Sequence, residues 1–427
     1  MQIKIPELSL ILLVGVSSSG KSTFAKKHFQ KTEVLSSDYC RAMIIDDEAD
    51  QSVNKEAFEI LHCIVTKRLA IGRLTVIDAT NIQAKARSSL LYLARKYYIA
   101  PVAIAFDLPK DLCETRSQQR SNRNLNSTII NQQYDNFKRS LRNIKHEGFK
   151  QITVLSSVAE VDNSEIKLIP LTCNMRHETG PFDIIGDIHG CFDELIVLLE
   201  QLGYQIQSSA SKYTTVHPQG RKVIFLGDLV DRGPKITQVL QLVMDMVAAG
   251  NAFCIKGNHD VKLSRKLKGH NTKLAHGLEE SIKQLQTTSE DFRNQVIKFI
   301  NNLAEHYLFD AGKLVVAHAG LTEELQGRET GKVYEFALYG KVIGREKSGF
   351  PIRYNWANDY NGSATVVYGH TVVVDSKWVN NTICLDTGCV FGGKLTALRY
   401  PEKELVSVTA KHAYYDIDSI NHPLSND

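Results

Sequence analysis

The sequence has no run of about 18 apolar residues, so no transmembrane helix is expected. Its one apolar stretch near the amino terminus, residues 7–16, runs straight into a glycine-rich motif and reads as a buried strand rather than a signal-peptide core. Paired cysteines are missing as well. None of the eight cysteines, at 40, 63, 113, 173, 191, 254, 384 and 389, stands in a C-x-x-C, and their spacing does not suit a metal knuckle. Free thiols in a reducing, cytoplasmic compartment are expected. There is no internal repeat and no low-complexity segment. Charge of one sign is also scarce: a net +4 over 427 residues permits a nucleic-acid partner without requiring one. With 43% hydrophobic and 23% charged residues, the composition is that of a soluble globular protein.

What is present is two sets of phosphate-handling motifs. The first is Gly15-Val-Ser-Ser-Ser-Gly-Lys-Ser22, a complete P-loop between an apolar strand and a helix. Its glycines let backbone N–H groups turn towards phosphate, Lys21 reaches the β/γ oxygens and Ser22 can ligate Mg²⁺. Gly15, Ser17, Ser18, Ser19, Gly20, Lys21, Ser22 and Thr23 are therefore the expected nucleotide-binding residues. Past the next short strand comes Asp38, placed to take a proton from an attacking hydroxyl, and Arg41, three residues on, placed to bind an acceptor phosphate. Taken alone, Asp38 could equally be a helix N-cap. Asp78, at a strand end, could hold magnesium-bound water or cap a turn. Arg116, Arg120 and Arg123 recur at helical spacing, as a lid over nucleotide phosphates would need.

The second set begins with Gly186-Asp187-Ile-His189-Gly190. It continues with Gly227-Asp228-Leu-Val-Asp231-Arg232-Gly233, then Gly257-Asn258-His259-Asp260, His318 and Gly369-His370-Thr371. Two clustered divalent cations need a carboxylate between them and His, Asp and Asn around them, and these residue types arrive in suitable order.

Alternating strands and helices over residues 8–155 predict a P-loop kinase domain with a doubly wound parallel sheet. The pattern restarts at 182 and suits a two-sheet αββα sandwich carrying the metal motifs on loops after strands. The expected organisation is a kinase domain over 1–160, a linker over 161–181, a metallophosphoesterase domain over 182–405, and a tail or the start of a further domain over 406–427.

The P-loop, Asp38-x-x-Arg41 and an arginine-bearing lid resemble the 5′-OH polynucleotide kinase family of RNA repair. With the phosphoesterase motifs behind it, nearly the whole chain resembles the kinase and phosphatase modules of bacterial polynucleotide kinase-phosphatases. The resemblance implies an RNA end-healing enzyme. It would phosphorylate 5′-OH ends with ATP or another NTP and Mg²⁺, and remove 2′,3′-cyclic, 2′- or 3′-phosphates with two divalent metals, expected to be Mn²⁺. It further implies that Asp187 and His189 hold one metal, that Asp228 bridges, and that Asn258, His318 and His370 complete the second. Arg232 would grip phosphate. His259 would protonate the leaving oxygen, with Asp231 orienting it, and Asp386 would belong to the site without a defined role. Implied partners are RNA ends, a ligase module or separate ligase, and an RNA 3′-end methyltransferase, with no membrane. Family members commonly carry a third, adenylyltransferase domain, and no Lys-x-Asp-Gly motif appears here.

Two alternatives stay open. Gly186-Asp-Ile-His-Gly-Cys191 also resembles dinucleoside tetraphosphate hydrolases, which would make the chain a nucleotide kinase fused to such a hydrolase. A serine/threonine protein phosphatase is weakened by Asp260, where glutamate is usual, and by Thr371-Val372 after His370. A P-loop used only as a switch would need no acceptor base such as Asp38.

Overall fold

The computed structural model describes residues 1–119, 126–209, 212–345 and 351–416. It separates into two compact units, Met1–Leu171 with Arg328–Thr330, and Thr172–Gly327 with Gly331–Asp427.

The first unit is built around Ser9–Val14, a strand with all six residues buried. It pairs in parallel with Thr75–Asp78 and with Ala100–Phe106, and Val34–Ser36 and Gln151–Leu155 extend the sheet to five parallel strands. Side chains alternate across a strand. Leu10, Leu12 and Val14 accordingly pack with Leu61, Val65, Leu90 and Phe137 on one face, while Ile11 and Leu13 pack with Phe24 and Ala25 on the other. The doubly wound parallel sheet expected from sequence is therefore present. Residues 161–181 do not form the expected linker. They include the end of helix Val158–Asp162 and the strand Glu165–Ile169, which pairs in parallel with Gln2–Pro6. Both strands are five residues long and mix charged with apolar positions, so neither gave a long apolar run.

The second unit holds two five-stranded sheets. One orders Ala252–Cys254, Lys222–Phe225, Phe182–Ile185, Lys394–Tyr400 and Glu404–Thr409; the other orders His306–Phe309, Leu314–Ala317, Thr365–Tyr368, Thr382–Cys384 and Trp378–Val379. Phe182, Ile184 and Ile224 of the first meet Phe309, Val316, Val367 and Ile383 of the second in a common core, with the Phe182 and Phe309 rings 4.9 Å apart. Helices Phe192–Gln201 and Ile236–Ala248 bury Leu195, Leu199, Leu240 and Val243 on the first sheet's other face. The expected tail begins as sheet: Glu404–Thr409 pairs with Lys394–Tyr400, and the Tyr414 N–H donates to Val390 O at 2.9 Å. The remainder of that segment, 417–427, lies outside the described residues.

This layout positions the chemistry. Asp187, Asp228, Asn258, His318, His370 and Asp386 each follow the end of a strand, and those strands are parallel within each sheet. One edge of the sandwich thus collects side chains that lie nearly 200 positions apart in the chain.

Candidate functional site

In the first unit the P-loop turns out of the central strand with Ser18 and Gly20 at φ +64° and +93°, and Gly20 leads into helix Lys21–His28. Lys21 Nζ donates to Gly15 O at 2.9 Å and Val16 O at 2.7 Å, so the ammonium is folded over the loop. A cavity of about 200 Å³ beside it is lined by Ser17, Lys21, Ser22, Asp38, Arg41 and Asp78. Asp38 does not cap its helix. Ser36 is the cap, its Oγ accepting from Tyr39 N at 3.4 Å, and Asp38 pairs with Arg41. Arg41 is held further by Nε to Glu48 O at 2.9 Å and by one terminal nitrogen to Asn54 Oδ1 at 2.8 Å. Burial raises the Asp78 carboxyl; Lys21 and the Ser22 hydroxyl oppose that rise, which places Asp78 against the P-loop helix start. Arg116 lines a second cavity of about 360 Å³ with Ser18, Gly20, Thr23 and Lys27. Arg120 and Arg123 lie outside the described residues.

In the second unit the sequence candidates converge. His189 and Asp228 both have left-handed backbones, as do Asp231, Arg232 and His370, a conformation that costs non-glycine residues energy and is kept where it aims a side chain. His189 Nδ1 donates to Val230 O at 2.6 Å and His318 Nδ1 to Leu226 O at 2.9 Å, which turns Nε2 of both rings towards Asp228, at 3.7 and 3.3 Å. Asn258 Oδ1 lies 2.9 Å from His318 Nε2, and His370 Nδ1 lies 3.1 Å from the same nitrogen. Asp187 accepts from the His370 N–H at 3.1 Å. His259 Nδ1 donates to Asp231 at 2.6 Å, and Asp231 is fixed in turn by the Ser281 hydroxyl. Arg232 donates to Nε2 of His189 at 2.7 Å and of His259 at 3.1 Å.

Charge is packed tightly here. Burial opposes ionisation of Asp228, but His318, His259 and His189 outweigh it and hold its carboxyl well below the usual range. Burial, then Asp386, pushes Asp187 well up. Burial lifts Asp386 to about 6 against the Gly388 N–H. Two groups of donors share Asp228: His189 with His259, and His318 with His370. The set suits two divalent cations, being mixed nitrogen and oxygen donors with carboxylates forced together. Among the described residues buried His370 Nε2 has no hydrogen-bond partner. Room is kept by glycine: a Cβ on Gly369 would stand 2.0 Å from Asp187 Oδ1, and one on Gly257 2.2 Å from Asp228 Oδ1.

Residues 180–401 match the calcineurin-like phosphoesterase family. The chain belongs to that family. Residues 10–144 match a second one, the AAA domain, so the phosphoesterase follows a P-loop domain. Among curated proteins, the asymmetrical bis(5′-nucleosyl)-tetraphosphatase PrpE of Anoxybacillus flavithermus is 44% identical over 238 residues, covering 55% of this chain and 96% of that protein. PrpE of Bacillus subtilis is also 44% identical over 238 residues, covering 55% and 96%. Both resemble only the phosphoesterase part. The polynucleotide kinase-phosphatase resemblance is thus borne out as a P-loop domain joined to a calcineurin-like phosphoesterase, and no further.

The phosphoesterase site also contains a residue that the motifs did not disclose. Arg353 sits on Pro351–Arg353, the second strand of a hairpin with Val342–Arg345. Burial lowers its guanidinium, Asp228 acts against that, and its charge depresses His370. No motif surrounds it in the sequence, and only its place between His318 and His370 could have drawn notice. Asp260 accepts from Leu229 N and Gly257 N, both at 3.0 Å, and so joins the loop bearing Asp228 to the loop bearing Asn258 and His259.

Proposed function

We propose that the chain heals polynucleotide ends, adding phosphate to a 5′-OH in the P-loop unit and removing a 2′,3′-cyclic, 2′- or 3′-phosphate in the phosphoesterase unit. The observation that carries this is the Asp38–Arg41 pair lining one cavity with Lys21 and Ser22. A carboxylate facing the phosphate cradle can accept a hydroxyl proton, and a guanidinium beside it can hold the phosphate next to that hydroxyl. A P-loop that only senses nucleotide needs neither. Arg116, beside Gly20, neutralises donor phosphates.

In the phosphoesterase the residues divide as follows. Asp187, His189, Asp228, Asn258, His318 and His370 would hold two cations, Asp228 belonging to both groups of donors, and the cations would supply Lewis acidity and an activated water. Manganese is the proposed metal. Arg232 and Arg353 bind the non-bridging phosphate oxygens. His259, oriented through Nδ1 by Asp231, takes up a proton on Nε2 when Arg232 turns from that nitrogen to the substrate phosphate, and gives it to the leaving oxygen.

A second reading concerns the phosphoesterase alone, and there the relatives favour it over the first. Likeness to PrpE proteins across 96% of their length supports hydrolysis of a dinucleoside tetraphosphate, in a chain that is a nucleotide kinase fused to such a hydrolase. One experiment separates the two. The full chain is given ATP, Mg²⁺ and Mn²⁺ with a labelled oligoribonucleotide bearing 5′-OH and 2′,3′-cyclic phosphate ends, and in parallel diadenosine tetraphosphate. End healing requires both ends of the RNA to change, with the 5′ reaction slowed about 10²-fold or more by Asp38→Asn. Unchanged RNA beside rapid cleavage of the tetraphosphate would establish the second reading instead.

A further inference from the structure

The helix that starts with Asn258 and His259 continues as a basic surface. Residues 256–276 contain six lysines and arginines and one acid, Asp260, a net +5 against +4 for the entire chain. The acid is buried and spent on backbone N–H groups, and Lys256 is paired with Glu305 at 3.4 Å, so the outward charge comes from Lys262, Arg265, Lys266, Lys268 and Lys273. The helix, Asn258–Leu267, buries Leu263 and Ser264 and leaves Arg265 outside, with Lys268, His270 and Lys273 exposed in the loop behind it. Among the described residues no carboxylate lies within ion-pair distance of Lys262, Arg265, Lys266 or Lys268; Lys262 instead donates to Ala275 O at 2.5 Å and Lys268 to Asn301 Oδ1 at 2.9 Å. An ordinary solvated helix face intersperses both signs.

Two contacts tie this surface to the reacting centre. The loop returns to it, with Gly277 O accepting from Arg232 N at 3.2 Å, and the charges of Lys262, His259 and Arg232 all bear on His276. On the other side helix Gly331–Tyr339 packs against the residue that follows His318, the Ala319 N–H donating to Ala337 O at 2.7 Å, and its last residue, Tyr339, is 40% exposed. An accessible aromatic ring therefore lies beside the turn that bears His318, close enough to the basic helix for Arg265 to act on it.

We infer that helix Asn258–Leu267 and the loop after it carry the phosphodiester backbone of a single-stranded RNA whose terminal phosphate lies in the phosphoesterase site, with Tyr339 stacking on a base near that end. The inference rests on the end-healing reading and gives it a substrate length. Clustered cations follow a backbone, and a ring accepts any base on its face, so this surface binds without reading sequence. A dinucleoside tetraphosphate brings its whole charge into the metal centre and has nothing to lay along a second turn of helix.

The test compares three substrates of the manganese-loaded full chain: a ten-nucleotide RNA with a 3′-phosphate, a nucleoside 3′-monophosphate and p-nitrophenyl phosphate, with diadenosine tetraphosphate given to the unaltered chain alongside them. The variant is Arg265→Glu/Lys266→Glu/Lys268→Glu. Its kcat/KM on the ten-mer should fall by about 10-fold or more at low salt, and its salt dependence should flatten by about 2 log units per log unit of salt, at roughly 0.7 per lost contact. Rates on the two small substrates should stay within about twofold, which also reports a folded, metal-loaded site; should the triple variant fail that control, Lys268→Glu is used, with about a third of the change in slope. A ten-mer rate untouched by the substitutions, or an equal loss on all three substrates, overturns the inference while leaving end healing in place. No hydrolysis of the ten-mer by the unaltered chain, with diadenosine tetraphosphate cleaved, overturns both.

Discussion

The P-loop unit settles its charges internally: Lys21 is satisfied by the carbonyls of Gly15 and Val16, and Asp38 by Arg41. In the phosphoesterase unit Asp187, Asp228 and Asp386 are each no more than 5% exposed and repel one another, with His189, His259 and His318 crowded among them. Both arrangements serve phosphate, but at different cost. A loop that binds with backbone N–H groups can be folded and quiet before its ligand arrives. A buried cluster of carboxylates is stable only with positive charge among them. The lesson is that the P-loop unit should behave alike with and without cations, and the phosphoesterase unit should not.

The sharpest way to break this comparison is to disable each centre separately. Asp228→Ala should lower phosphoester hydrolysis by about 10³-fold or more, as expected when a paired-metal centre is lost, with 5′ phosphorylation intact. Lys21→Ala should do the reverse. Loss of both activities in either folded variant would mean that the centres are not independent.

Next in size is the role of His259. A general acid matters most when the leaving oxygen is a poor one, such as a ribose alkoxide, and least for p-nitrophenolate. His259→Ala should therefore slow a nucleoside 3′-phosphate by about 10²-fold while slowing p-nitrophenyl phosphate much less. Equal losses, in protein retaining its metals, would recast His259 as a phosphate or metal ligand. Its grouping with His189 and Asp228 makes that the natural competitor.

The smallest expected effect is thermal. Cation at about 100 times its dissociation constant stabilises by about 2.7 kcal/mol. For a domain of this size that is a rise of about 5–10 °C in the melting transition of the phosphoesterase unit. A chelator should remove the rise, and Asp228→Ala should show none. Identical melting with and without metal would contradict the view that repulsion is stored in the site.

Much of the fold and of the candidate site was legible in the sequence because the side chains that converge there come in short contiguous phrases. The P-loop is eight residues, and Asp187 with His189, Asp228 with Arg232, and Asn258 with His259 are each set by one turn of backbone. The central strands were visible for a related reason, since Ser9–Val14 is buried on both faces and reads as an unbroken apolar run. What stayed hidden depends on long-range pairing. Gln2–Pro6 and Glu165–Ile169 become strands only by meeting each other. The hairpin Gln205–Ser209 with Lys212–Val216 is mostly polar. Arg353 reaches the site on a hairpin with no local signature. The Asp38 ambiguity was also unresolvable from sequence, since Ser36, Ser37 and Asp38 are all competent caps and only geometry shows which one is used.

Asp260 has a consequence for how this centre could change over time. With one oxygen on Leu229 N and the other on Gly257 N, it clasps the turn bearing Asp228 to the turn bearing Asn258 and His259. Neither turn can shift without dragging its neighbour, so the two are inherited as a single part. Alterations that retune which ester is cut must then come from pieces outside the clasp. The pair of strands Val342–Arg345 and Pro351–Arg353 is such a piece: it lends the centre one guanidinium and takes no part in the clasp. Divergence among enzymes of this build should accordingly concentrate in that hairpin, and a designer seeking a new substrate would start there.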